Sequence, residues 1–275
     1  MTPFHAFILG LLQGLTEFLP VSSSGHLVLL PWWLDWQSSP LAFDALLHWG
    51  TLLAVVIYFW QDWWEMLMAL VRKLKGQPAL GHDKILLNIL IGTIPAAVLG
   101  FLLEDFFENL FGKPHLVAIF LLITGLLLVY SERWASLQRS ARTMSHLNWK
   151  DALVIGLGQA MAIAPGISRS GSTIAAGLMR GLDRPTAARF SFLLGTPIIF
   201  GAGLLKLKDL IELGTGGMGV TPLAVGFVTA FISGILAIRY LLRYLRNHTL
   251  HLFAYYVWAV ALLSLARYFI ISCNY

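Results

Sequence analysis

The chain has 275 residues, of which 57% are hydrophobic and 12% charged, with a formal net charge of +5. A mean hydropathy of +0.74 is too high for a soluble domain and indicates a polytopic membrane protein. The positive excess sits in loops, where it reports membrane orientation rather than nucleic-acid binding, and the single cysteine, Cys273, excludes an internal disulfide.

Residues 5–19 are apolar but shorter than the ~20 residues that a span requires. The start lacks a basic region and a small-residue cleavage site, so no cleaved signal is expected. The run breaks at Pro20, and a second short segment follows at 25–34. Together they read as a re-entrant helical pair. Residues 41–60 make a first full span, followed by a basic loop with Arg72, Lys73, Lys75 and Lys84. Residues 85–103 span back to the acidic group Glu104, Asp105 and Glu108. Residues 114–131 lead into a second basic loop with Arg133, Arg139, Arg142 and Lys150. Residues 151–164 and 172–181 form a second short, broken pair. Residues 186–205 span into a Gly-rich loop at 214–219, residues 221–242 reach Arg239, Arg243 and Arg246, and residues 251–271 make the last span. Tryptophans 32, 33, 36, 60, 63 and 64 lie near segment ends, as interface anchors do. The expectation is an all-α polytopic membrane protein with six transmembrane helices and two re-entrant helical pairs.

Basic loops face the cytoplasm. With 72–84 inside, most other Lys and Arg also fall on cytoplasmic loops or span ends, and both termini lie outside. The two broken pairs then enter from opposite faces. They are also copies of each other. With Gln13 set on Gln159, Ser22, Ser24 and Gly25 align without a gap on Ser168, Ser170 and Gly171. Phe43-Asp44-Ala45-Leu46-Leu47 resembles Phe190-Ser191-Phe192-Leu193-Leu194, and Gly-Thr follows each at Gly50-Thr51 and Gly195-Thr196. The chain is thus expected to be one membrane domain of two inverted repeats, about 1–132 and about 149–275. Short, Gly/Pro-interrupted segments at matching positions point to a buried site.

Polar groups inside greasy segments are costly and mark function by default. Gln13 and Glu17 are four apart and share a helix face, and Glu17 is the only acid before Asp35. A cation ligand or an acid/base role fits Glu17 better than a merely buried neutral acid. Ser22, Ser23 and Ser24 precede Gly25 and the helix bearing His26. At least one of these serines caps that helix, and its N-terminus offers free N–H groups to an anion. His26 in the first turn can act as a neutral base or nucleophile. Ser168-Arg169-Ser170-Gly171-Ser172-Thr173 sets one guanidinium among hydroxyls at a helix start, a pattern suited to phosphate. Snorkelling of Arg169 fits poorly, because its neighbours are turn residues rather than interfacial aromatics. No Walker motif, zinc pattern or dinucleotide fingerprint occurs.

The strings Gln13-x-x-x-Glu17, Pro20-Val21-Ser22-Ser23-Ser24-Gly25-His26 and Pro165-Gly166-Ile167-Ser168-Arg169-Ser170-Gly171-Ser172-Thr173 resemble the two signatures of the bacterial undecaprenyl-pyrophosphate phosphatase family, the bacitracin-resistance type. The likeness covers nearly the whole chain. The family has Glu or Gln at the first signature position, and this chain has Gln13. The resemblance implies removal of the terminal phosphate of a C55 polyprenyl pyrophosphate, giving the monophosphate carrier of cell-wall synthesis. It also implies interlocked inverted repeats, a divalent cation (Mg²⁺ or Ca²⁺), a bacterial inner-membrane location and a site open to the periplasm. In that scheme Glu17, Ser23, His26 and Arg169 are catalytic, and either Ser23 or His26 is the nucleophile. Gln13 and Glu17 hold the metal. Ser22, Ser24, Gly25, Ser168, Ser170, Gly171 and Thr173 line the phosphate. Membrane lipids and the lipid substrate are the partners, nucleic acid is not, and a homodimer is left open. The alternative is an inverted-repeat transporter or flippase for a polyprenyl phosphate or a small anion.

Overall fold

The computed structural model describes residues 1–37, 39–78, 81–138, 141–213 and 219–273, except the side chains of 41, 104, 105, 108, 111 and 205–213. The acidic side chains Glu104, Asp105 and Glu108, the basic residue Arg139 and most of the Gly-rich loop at 214–219 therefore lie outside the described residues. Among those described, twelve α-helices and one short 3₁₀ turn make the fold.

Helix α1 (Pro3–Phe18) starts where Thr2 accepts a hydrogen bond from the His5 N–H, with proline in its first turn. It ends before Pro20, and Ser22 turns the chain with φ 72°. Helix α2 (Ser23–Trp33) follows. At 16 and 11 residues, neither can span alone. The second broken pair is α8 (Trp149–Met161) and α9 (Arg169–Met179), of 13 and 11 residues. An Asn148/Asp151 capping box opens α8. Both pairs match their expected places.

Five helices are long and apolar enough to span. They are α5 (His82–Leu102), α7 (Pro114–Ser136), α10 (Arg184–Leu213), read over Arg184–Leu204, α11 (Val220–Tyr244) and α12 (His251–Cys273). A sixth arises if α3 (Leu41–Tyr58) and α4 (Trp60–Leu74) count as one span, although the chain bends by 71° between them. Six spans were expected, but α4 was not. It carries Asp62, Glu65, Arg72 and Lys73, so hydropathy falls away. Yet it is amphipathic and buries Met66 and Ala69. A further short helix, α6 (Glu104–Phe111), links α5 to α7.

The two halves pack crosswise. Helix α1 lies most extensively against α11, and α8 against α5. Small residues allow this close approach. Gly10 and Gly14 face Gly226, Ala230, Ser233 and Gly234, while Gly156 faces Gly92. Each half thus grips the other's short helix. Phe18 and Phe192, both fully buried, meet edge to face at 5.2 Å where the halves join.

Candidate active site

Each broken pair builds the same turn. In the first, Ser22 Oγ accepts from the Gly25 N–H at 3.2 Å and lies 3.3 Å from Ser24 Oγ. In the second, Ser168 Oγ accepts from the Gly171 N–H at 3.0 Å and lies 3.3 Å from Ser170 Oγ. These are helix N-caps. The two turns also touch. Ser170 Oγ donates to the Leu19 carbonyl at 3.0 Å. A Cβ on Gly25 would stand 3.3 Å from the Gly166 Cα. Gly166 has φ 100° and its carbonyl accepts from Thr124, which suits glycine alone among common residues.

Where the turns meet, one carboxylate gathers donors from both halves. Glu17 Oε2 accepts from Gln13 Nε2 at 3.0 Å and from Ser23 Oγ at 2.7 Å. Glu17 Oε1 accepts from Arg169 Nη2 at 2.8 Å. His48 Nε2, on α3, stands 3.7 Å from Glu17 Oε2. Arg169 Nη1 also donates to the Ser191 carbonyl at 3.2 Å. Gly195 leaves room for the guanidinium, because a Cβ there would occupy its space. Glu17 is 6% exposed and Gln13 fully buried. In such surroundings the Glu17–Arg169 pair interacts far more strongly than in water.

His26 is turned elsewhere. Its Nδ1 lies 2.8 Å from the Ser22 carbonyl, and its Nε2 lies 2.9 Å from the Tyr256 hydroxyl on α12. A carbonyl only accepts, so Nδ1 donates and neutral Nε2 accepts from the tyrosine. The rings stack at 5.6 Å with an interplanar angle of 3°.

Gln13, Glu17, Ser23 and Arg169 are therefore brought together, with His26 one turn along α2 from Ser23. The other expected phosphate hydroxyls have protein partners. Ser22 and Ser168 cap helices, Ser170 ties the two turns, and Thr173 donates to the Arg169 carbonyl at 2.7 Å while meeting Ser191 Oγ at 2.6 Å. Ser168 and Thr173 are fully buried. They hold the turn that presents Arg169. Gly171 packs between Ser168 and Pro20.

Sequence reasoning did not select His48, Ser191, Tyr256 or Thr124. Asp44 and Ser191 occupy matching places in the repeat, so Ser191 and the nearby His48 were within reach of that alignment. Tyr256 and Thr124 join the site only through contacts far along the chain.

Glu17 can hold a cation, and the structure offers a second oxygen for it. Gln13 Oε1 is buried without a hydrogen-bond partner. Among the described residues, no three His, Cys, Asp or Glu side chains converge. Any cation here would rely on amide or substrate oxygens as well.

A family model described as "Bacitracin resistance protein BacA" matches residues 6–263. A protein of Halothermothrix orenii named "Undecaprenyl-diphosphatase" is 44% identical over 263 residues, covering 96% of this chain and 97% of that one. Similarly named proteins of Pelotomaculum thermopropionicum and Moorella thermoacetica are each 43% identical, covering 98% of this chain and 99% of theirs. With its two signature turns joined at Glu17 and Arg169, the chain belongs to the bacitracin resistance protein BacA family.

Proposed function

We propose that the chain is an undecaprenyl-pyrophosphate phosphatase that hydrolyses the C55 lipid pyrophosphate to the monophosphate on the periplasmic side, for cell-wall synthesis. The observation that carries this reading is the Glu17–Ser23–Arg169 cluster, which joins a hydroxyl, an acceptor carboxylate and a guanidinium across the two turns.

Arg169 binds the terminal phosphate with the N–H groups that Glu17 and the Ser191 carbonyl leave free, and stabilises charge as the bond to the bridging oxygen breaks. Ser23 is the nucleophile. Its hydroxyl proton passes to Glu17 as Oγ attacks the terminal phosphorus, and the monophosphate lipid departs. Glu17 passes that proton to the departing monophosphate; a water then attacks the phosphoserine and gives a proton to the freed carboxylate, which returns it to Ser23 Oγ as inorganic phosphate leaves. The 2.7 Å hydrogen bond from Ser23 to Glu17 supports this assignment over His26, whose Nε2 faces Tyr256. His26 and Tyr256 fix the first turn of α2, and with it the place of Ser23. Glu17 and Gln13 would hold Mg²⁺ or Ca²⁺, which supplies charge neutralisation on the phosphate oxygens. The polyprenyl tail lies along exposed apolar flanks of the spans.

The charge bias of the loops supports the periplasmic opening and the outward termini. Phosphate release from the C55 pyrophosphate by purified protein in detergent tests the reading. The crosswise repeats favour one rival, a transporter. Substrate movement across vesicles without phosphate release would select it.

A further inference from the structure

We propose that His48 is a third ligand of the divalent cation, so that the metal site is a mixed carboxylate–amide–imidazole set of Glu17, Gln13 and His48. The inference rests on the phosphatase reading, which brings the cation to this place.

His48 comes from α3, not from either signature turn. Its Nδ1 lies 2.8 Å from the Asp44 carbonyl. The carbonyl can only accept, so Nδ1 donates and Nε2 is the ring nitrogen left for another partner. It faces Glu17 Oε2 across 3.7 Å. The gap is longer than the roughly 2.7–3.2 Å of an N–H···O hydrogen bond. Adjacent ligand atoms on an ion with bonds of about 2.0–2.6 Å stand about 2.8–3.7 Å apart.

Gln13 adds an independent sign. It is fully buried, its Nε2 is on Glu17, and its Oε1 has no partner. A buried amide oxygen without a donor is a ligand atom in waiting. The charged groups around the set are Arg169 from α9, held on the other Glu17 oxygen, and Asp44 on the same helix as His48. The His48 side chain is 31% exposed against 5% for that of Glu17, so it also gives the ion a route from solvent. Imidazole suits Zn²⁺, Fe²⁺ and Ni²⁺ better than Mg²⁺ or Ca²⁺, while Mn²⁺, which takes carboxylate and carbonyl oxygen, serves as the spectroscopic probe of the mixed set.

The test uses Mn²⁺ alone with the full chain purified in detergent, read by pulsed electron paramagnetic resonance. Bound Mn²⁺ should show a directly coordinated nitrogen whose coupling changes on ¹⁵N-histidine labelling. His48→Gln should lose that coupling and weaken Mn²⁺ binding by on the order of tenfold or more, while His26→Gln keeps the coupling. The wild-type spectrum decides the matter even if a variant fails to fold. Mn²⁺ bound without nitrogen coupling, coupling that survives in His48→Gln, or no Mn²⁺ binding would each overturn the proposal. Phosphate release from the same sample separates the two readings. Release without nitrogen coupling keeps the phosphatase and removes His48 from the metal. Coupling without release keeps His48 on the metal and removes the phosphatase.

Discussion

Glu17 and Arg169 are 152 residues apart in the chain and 2.8 Å apart in space. Their side chains are 5% and 13% exposed, so each largely shields the other from an uncompensated burial. The pair ties the two halves together at the same point that the proposed chemistry uses.

Arg169→Lys should keep the charge and lose the fork that reaches both Glu17 and the Ser191 carbonyl. Turnover is expected to fall on the order of 10²–10³-fold, with alanine no better. Turnover and melting temperature are measured side by side. A lysine variant with most of its turnover would move Arg169 to a structural role.

Ser23→Ala should abolish turnover while the fold survives, because Ser23 is half-buried and its hydroxyl bonds to Glu17 rather than capping a helix. Acid quenching with substrate labelled in the terminal phosphate should trap label on the wild-type chain and none on the variant. Label still bound after Ser23→Ala would pass the nucleophile to another group.

Tyr256→Phe removes the donor from buried His26 Nε2. Leaving an acceptor unsatisfied should cost about 1–3 kcal/mol. The check is thermal unfolding in detergent, together with the ¹⁵N shifts of the His26 ring. Unchanged shifts would mean that the tyrosine does not hold the ring.

Gly14→Ala should destabilise by about 1–3 kcal/mol, because the new Cβ runs into Ser233 and stands 2.5 Å from the Ala230 carbonyl of α11. Gly100→Ala on α5 is the control. Its Cβ meets only Ile163 at 3.8 Å, so that helix should be unharmed or slightly strengthened. Equal melting temperatures for the two variants would dissolve the close-packing account.

Orientation can be read by labelling. With Cys273 replaced by serine, single cysteines at exposed Gln77 and Asn109 meet an impermeant thiol reagent. Asn109 should label from outside and Gln77 only after the membrane is opened. The reverse pattern would invert the assignment.

The broken pairs were legible because Pro20, Pro165 and Gly166 interrupt apolar runs too short to span, and a repeated Ser-x-Ser-Gly marks both turns. Glu17 and Arg169 stood out as charges in greasy sequence. The hydroxyls were harder. A serine that caps a helix and one that meets phosphate look identical in sequence, and Ser168, Ser170 and Thr173 all hold protein groups. Helix α4 escaped because a window average cannot see that its apolar residues share one side. The His26–Tyr256 contact spans 230 residues and leaves no local trace.

The crosswise packing also sets a timetable. Helix α1 is made first, yet its main seat, α11, begins only at Val220. At roughly 5–20 residues per second, synthesis leaves α1 without that seat for roughly 10–40 s. Throughout that interval Glu17 lies on a helix held only by the smaller contacts with α2 and α3, and Arg169 arrives only when most of the wait has passed. The Glu17–Arg169 pair is therefore a late product of assembly, and a chain halted before α11 should hold α1 loosely enough for a protease to find.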